Sequence, residues 1–254
     1  MSKTEKRISV HEAIPLIQPS GIFYDENKKS RFAVTNLGYG TGTPEEQIFK
    51  GMLQLRSNVY IDQTGFLDED ARLEDGTERD VDDERSQHFA VIENRVGGIA
   101  VIACMRLINR GEIPLPIEEL IPGAFETDVA ENKSVEVSRF IVLHNEKRER
   151  ALARTFLLAT ALSHIRNNDL GPAYAIVESE LDAHLTGISV PTQRISEPVW
   201  VEEYNTTNFG IRIDTDEMIR RFGDDLLNDF SLQEGEYKYW GSMEETTKSL
   251  DEAV

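Results

Sequence analysis

Val135-Glu136-Val137-Ser138-Arg139-Phe140-Ile141-Val142 is an apolar β-run carrying a carboxylate and a guanidinium three residues apart. Side chains alternate faces along a strand, so an unbroken strand would send Glu136 and Arg139 to opposite sides. A bulge between them breaks that alternation and aims both at one cleft. Charges inside a β-run are costly unless paired or hydrogen-bonded. The segment therefore reads either as a structural ion pair at a sheet edge or as part of a site.

Outward from this strand the pattern is regular. Glu146–Arg166 follows as a helix, with Ala151, Leu152, Thr155, Leu158, Leu162 and Ile165 predicted to line its buried stripe, and Ala173–Val177 is a short apolar strand. Upstream, His88–Glu93 and Gly98–Ile108 read as a hairpin turning at Asn94–Gly97, and Pro114, Pro116 and Pro122 mark the next connection. Thr43-Pro44-Glu45-Glu46 is a helix start, with a capping hydroxyl, Pro at the first position and carboxylates at the positive end of the dipole. Ile48, Met52, Leu55 and Val59 then recur at helical spacing towards an end near Thr64-Gly65. Residues 68–84 hold ten carboxylates and no long apolar run, which predicts an exposed loop. Further on, Glu180–Leu185 reads as helix, Val199–Tyr204 and Gly210–Ile213 as strands, and Thr215–Phe222 as a short helix.

Three parts follow: an N-terminal extension over 1–43, ending in Gly38-Tyr39-Gly40-Thr41-Gly42; a folded domain over 44–229; and an acidic tail over 230–254. Helix, hairpin, strand, helix, strand, helix, strands is the order of an α/β (α+β) fold with a single mixed β-sheet flanked by helices. It is also the order of the acetyltransferase-like (GNAT-like) acyltransferase fold, which implies a splayed sheet whose central strands part to admit an acyl thioester.

Bulk properties narrow the function. A net charge of −19 argues against a nucleic-acid partner, which calls for a cationic face. Cys104 is the single cysteine, inside the apolar run Gly98–Leu107, so no disulfide framework is possible and a reducing, cytoplasmic setting is expected. No stretch reaches the roughly 18 consecutive apolar residues of a membrane span, and Met1–Val10 is too polar for a secretory signal.

The polar residues form an ordered set. Arg56 and Tyr60 lie late in the first helix, with Phe66 after them; Asp80 and Asp83 precede His88-Phe89; Arg106 ends the second hairpin strand; Glu136 and Arg139 sit in the charged strand. In this set, over roughly residues 45–220, the chain resembles the LuxI-type acyl-homoserine-lactone synthases, the autoinducer synthases. The family carries an Arg and an aromatic four residues later, a Trp, two Asp ahead of a His-aromatic pair, an Arg-Leu strand end and a Glu-x-Ser-Arg-Phe strand. Here Phe66 stands in place of the Trp and Tyr60 where Phe is usual. Relatives that make N-acyl amino acids share the fold and acyl donor, and a non-catalytic acyl or carrier-protein binding module is a third reading.

The resemblance implies an acyltransferase for quorum-sensing signal production. It would join an acyl chain from acyl-carrier protein or acyl-CoA to the amine of S-adenosylmethionine (SAM), with lactonisation and release of methylthioadenosine. SAM and the thioester enter as substrates, with no metal or other cofactor. A sulfonium and an ammonium beside one carboxylate call for anions, aromatic faces and a guanidinium. Asp80 and Asp83 supply anions, Tyr60 and Phe66 faces, and any of Arg56, Arg106 and Arg139 the clamp. Glu136 is the candidate base, since burial lifts a carboxylate's pKa into a useful range; its rival role is to organise Arg106 and Arg139. A preorganised oxyanion donor, each contributing about 3 kcal/mol, has no position assigned by the sequence.

The junction His144-Asn145-Glu146-Lys147 lacks the glycine turn with which acetyltransferases hold a pyrophosphate. Lys147, Arg150 and Arg154 share a helix face instead, suited to a phosphopantetheine phosphate or an acidic carrier protein. His88 reads as a packed histidine, Gly97-Gly98 as a turn, and no His/Cys group has metal-ligand spacing.

Overall fold

The computed structural model describes residues 13–17, 32–37, 45–95, 98–121, 132–187, 189–233 and 236–240. Its strands are β1 (Leu16–Ile17), β2 (Phe32–Leu37), β3 (Ser86–Arg95), β4 (Gly98–Asn109), β5 (Val135–Val142), β6 (Ala173–Glu178), β7 (Thr192–Arg194), β8 (Val199–Val201), β9 (Thr206–Ile213) and β10 (Tyr237–Trp240). The α-helices are α1 (Glu45–Ser57), α2 (Pro116–Leu120), α3 (Lys147–Asn167), α4 (Ser179–Gly187), α5 (Thr215–Phe222) and α6 (Asp224–Asp229). All the strands join one mixed sheet in the order β10-β2-β3-β4-β5-β6-β9-β7, with β1 on β4 and β8 on β9.

Helices cover both faces of the sheet centre, which is why β3 and β4 are almost continuously buried rather than alternating. On one face α3 sets Ala153, Phe156 and Leu157 against Phe89, Val91 and Met105. On the other, α1 sets Ile48, Met52 and Leu55 against Ala90, Val101 and Cys104. The buried stripe of α3 is displaced from the expected one: Ala151, Leu152, Thr155 and Leu158 are only half-buried. This helix is apolar on two sides, one toward the core and one toward a cavity that Leu158, Leu162 and Ile165 border.

The feature that makes room for a ligand is the parting of β5 from β6. Antiparallel β4–β5 pairing runs from Asn109↔Val135 to Ala103↔Val142. The parallel β5–β6 pairing has only two registers, Val135↔Ala173 and Glu136↔Tyr174. Past them the strands diverge, and the sheet is splayed as expected.

Several boundaries move. Within the segment read as an appended N-terminal arm, Phe32–Leu37 is a strand between β10 and β3, buried at all six positions. With both faces covered it shows no alternation, and nothing in its sequence sets it apart. Tyr237–Trp240, assigned to the acidic tail, pairs with β2 at the sheet edge. Both cuts, after residue 43 and after residue 229, therefore pass through one sheet. Val199–Tyr204 is strand only to Val201; Glu202–Tyr204 is one 3-10 turn. The helix start at Thr43-Pro44, the Gly38–Gly42 stretch, Pro122 and Gly97 lie outside the described residues. No described helix is long and apolar enough to cross a membrane.

Candidate active site

The bulge lies within the charged strand, at Arg139 itself. Cys104 opposes Ile141 and Arg106 opposes Ser138, so Met105 alone faces both Arg139 and Phe140. Arg139 takes up the extra length in a left-handed conformation, φ +54°, an arrangement costing an L-residue of the order of 1 kcal/mol or more. The alternation is reset, and Arg139 points to the side of Arg106 instead of the side of Val137.

There it completes a closed ring of six charges. Arg56 holds Glu78 (Nε to Oε2, 2.5 Å) and grips Asp83 with both terminal nitrogens (2.6 and 3.1 Å). Arg106 donates to Asp83 (2.7 Å) and bidentately to Asp80 (2.5 and 2.7 Å). Arg139 bridges Glu78 (2.9 Å) and Asp80 (3.0 Å). Three guanidiniums alternate with three carboxylates, and formal charge cancels around the ring. Burial alone would push all three carboxyls up, but the arginines outweigh it and hold them below the usual range.

Local chain geometry brings Asp80 and Asp83 into register. Asp80 caps the 3-10 turn Val81–Arg85, accepting from Asp82 N–H at 3.0 Å, while Asp83 reaches back to Asp80 N–H at 2.9 Å. The two-residue gap is thus a capping box that also seats carboxylates. Part of the acidic stretch is therefore built in: Glu78 and Asp83 are buried and Arg72↔Glu78 forms a β-bridge, while Asp68, Glu69, Asp70, Glu74, Asp75 and Glu84 are exposed as expected. Glu78 is the member that sequence reasoning missed; it looks like any other carboxylate of the run, and its arginine partners lie 22 and 61 positions away.

Between β5 and β6 opens a cavity of about 230 Å³. Tyr60, Phe66, Glu136, Ser138, Arg139 and Tyr204 share one part of its lining; the rest is mostly apolar side chains of α3, β6, α4 and α5, with Arg154, Glu178 and His184 among them. Of the three candidate clamps only Arg139 borders this cavity; Arg56 and Arg106 are sealed at 1% and 2% exposure. Asp83 is likewise inaccessible, whereas Asp80 keeps 29% of its side chain exposed. Arg56, Arg106 and Asp83 thus form a floor that orients Arg139 and Asp80.

Tyr60 lies in a π-helical turn, Asn58–Gln63, that extends α1, a distortion common at functional sites. Its ring stacks on Phe66 with centroids 6.4 Å apart and carries the Arg139 guanidinium 5.3 Å from its centroid. Glu136 lines the cavity with its carboxyl buried. Burial raises its pKa to about 8, against the opposing effects of the Ile117 amide, which donates to Oε2 at 2.8 Å, and of Arg106. His88 packs as expected, donating from Nε2 to the Asp83 carbonyl (3.1 Å); burial lowers its pKa to about 4, so it is neutral.

Of the helix-face cations, Lys147 and Arg150 are exposed, and Arg154 lines the cavity mouth, 3.3 Å from His184 Nε2. Arg150 and Arg154 both border a side recess with Phe140 and Val142. The fold also assembles a His/Glu group the sequence hid: Glu93, His144 and Glu149, all buried. His144 Nδ1 accepts from Glu146 N–H (3.0 Å), which leaves the ring hydrogen on Nε2, 2.8 Å from Glu149. A metal would need the Nε2 lone pair free; this group is a buried polar pin joining β3 to the start of α3.

Solved structures share this fold. BjaI, a CoA-dependent acyl-homoserine lactone synthase solved with SAM and isopentyl-CoA, superposes with a TM-score of 0.61 at 19% identity, covering 79% of this chain and 90% of its own. The AHL synthase LasI gives 0.56 at 18% identity, covering 73% and 91%. TofI, in a ternary complex with an inhibitor and MTA, gives 0.55 at 18% identity, covering 72% and 91%. No curated protein matches the sequence significantly. The sequence model of the autoinducer synthases matches residues 42–221, most of the chain and all of the ring, and the chain belongs to the autoinducer synthase family.

Proposed function

We propose that the chain is an acyl-homoserine-lactone synthase that uses SAM as acceptor and an acyl thioester, from acyl-carrier protein or CoA, as donor. One observation carries the reading: a single cavity brings a guanidinium, aromatic faces and a buried carboxyl together with a mostly apolar lining. BjaI, of the same fold, was solved with SAM and isopentyl-CoA together. In this reading Arg139 takes the SAM carboxylate, Tyr60 and Phe66 face its cationic groups, and Asp80, off the cavity lining but bonded to Arg139, supplies a nearby negative charge.

The chemistry then follows from proton and bond balance. Glu136, as carboxylate, accepts a proton from the SAM ammonium, and its pKa near 8 suits that exchange. The free amine attacks the thioester carbonyl, a C–N bond forms, and the C–S bond breaks to release the thiol of the donor. The carboxylate of the acylated methionyl group next attacks its own γ-carbon, closing the lactone and expelling methylthioadenosine. SAM and the thioester are consumed as substrates, and the reading places the enzyme where both are made, in the cytoplasm. Lys147, Arg150 and Arg154 beside the mouth suit the phosphate or an acidic carrier that delivers the chain.

Incubation with acyl thioesters of several lengths and SAM should release methylthioadenosine together with an acylated lactone. Amide formation on free amino acids without methylthioadenosine would instead assign the chain to N-acyl-amino-acid synthesis, and no turnover with any donor would leave a binding module.

A further inference from the structure

Tyr204 lies in the single 3-10 turn that ends β8, held by Asn205 in a left-handed conformation (φ +49°). It packs with Ile108, Leu115 and Val201 and shares the cavity lining with Glu136, Ser138 and Arg139. The Arg139 guanidinium lies close enough to oppose the effect of burial on its hydroxyl. A guanidinium has donors and no acceptor, so Arg139 leaves the phenol hydrogen free for another acceptor. No described residue takes that hydrogen.

Arg139 is itself held fast. Its Nε and Nη2 are engaged by Glu78 and Asp80, its face lies on Tyr60, and its backbone is fixed by the bulge. Burial, more than the Arg139 charge opposes, keeps the phenol protonated. A neutral O–H thus lines the cavity beside a fixed cation.

Taking the proposed reaction as its basis, we propose that the Tyr204 hydroxyl donates a hydrogen bond to the thioester carbonyl oxygen and stabilises the oxyanion formed as the SAM amine attacks. No proton is transferred in this role. The C=O bond opens to C–O⁻ while the hydroxyl donates, and re-forms as the C–S bond breaks. A donor aimed at developing charge in a water-poor site acts on the transition state more than on ground-state binding.

The test compares wild type with Tyr204→Phe, which keeps the packed ring. kcat for acyl transfer should fall about 100-fold, with the dissociation constants of SAM and of a thioether analogue lacking the carbonyl unchanged. Isotope-edited infrared spectra of a ¹³C=O acyl thioester bound with methylthioadenosine should show a lowered carbonyl stretch in wild type and a smaller lowering in the variant. A weaker SAM affinity with kcat preserved would overturn the proposal, leaving Tyr204 as a brace for Arg139. If Tyr204→Phe fails to fold, an unshifted carbonyl stretch in wild type overturns it alone. No methylthioadenosine from wild type with any donor overturns the functional reading and this proposal together; release with an unaltered variant kcat overturns only the proposal.

Discussion

Arg56 on α1 and Arg106 on β4 are joined through one atom: Oδ1 of Asp83 accepts from Nη1 of both, at 2.6 and 2.7 Å. Removing that charge leaves two buried guanidiniums facing each other. Asp83→Asn should therefore cost about 3–5 kcal/mol of unfolding free energy, read from urea denaturation. The same ring sets an acid limit. Glu78, Asp80 and Asp83 have folded pKa values below their unfolded ones, so their contribution is complete above about pH 4–5 and is lost as pH falls through the folded values. Denaturation midpoints measured from pH 6 to pH 2 should drop steeply in wild type.

Glu136 behaves in the opposite sense. Its folded pKa of about 8 lies above the reference 4.5, so the folded protein holds a proton that the unfolded chain releases between those values. Wild-type stability should fall as pH rises through this window, and Glu136→Gln should be more stable relative to wild type at pH 9 than at pH 5. The kcat/KM profile of wild type should climb with an apparent pKa near 8. Persistence of that limb in Glu136→Gln would assign it to the substrate amine.

Lys147 stands on the exposed start of α3. Lys147→Glu should raise KM for carrier-protein donors several-fold and flatten its dependence on salt, with short soluble thioesters unaffected. Equal losses with both donors would count against docking on this face.

Ala161 on α3 is a small side chain on the apolar wall of the cavity. Ala161→Leu should shift product lengths towards shorter acyl chains, measured by mass spectrometry of lactones formed from mixed donors. Because the residue borders open volume, the stability change should stay within about 1–3 kcal/mol.

Some of this was legible before any coordinates. Glu136 and Arg139 stand out because charge within a β-run needs a local cause, and the bulge that reconciles them follows from strand alternation. Asp80 and Asp83 are picked out by the resemblance to the autoinducer synthases, and the capping box supplies the physical reason for their spacing. Glu78 is not, since its role depends on arginines brought from two other elements. Phe32–Leu37 is hidden by burial on both faces, which erases its period. Tyr204 is hidden because its place depends on how β8 turns back on β9.

The two-register seam between β5 and β6 gives the sheet something like a pair of tongs, sprung at Val135–Glu136 and Ala173–Tyr174. Longer guests would spread the free arms while the pivot keeps still. Glu136 sits on that pivot, so the proposed proton acceptor would hold its station whatever the size of the guest.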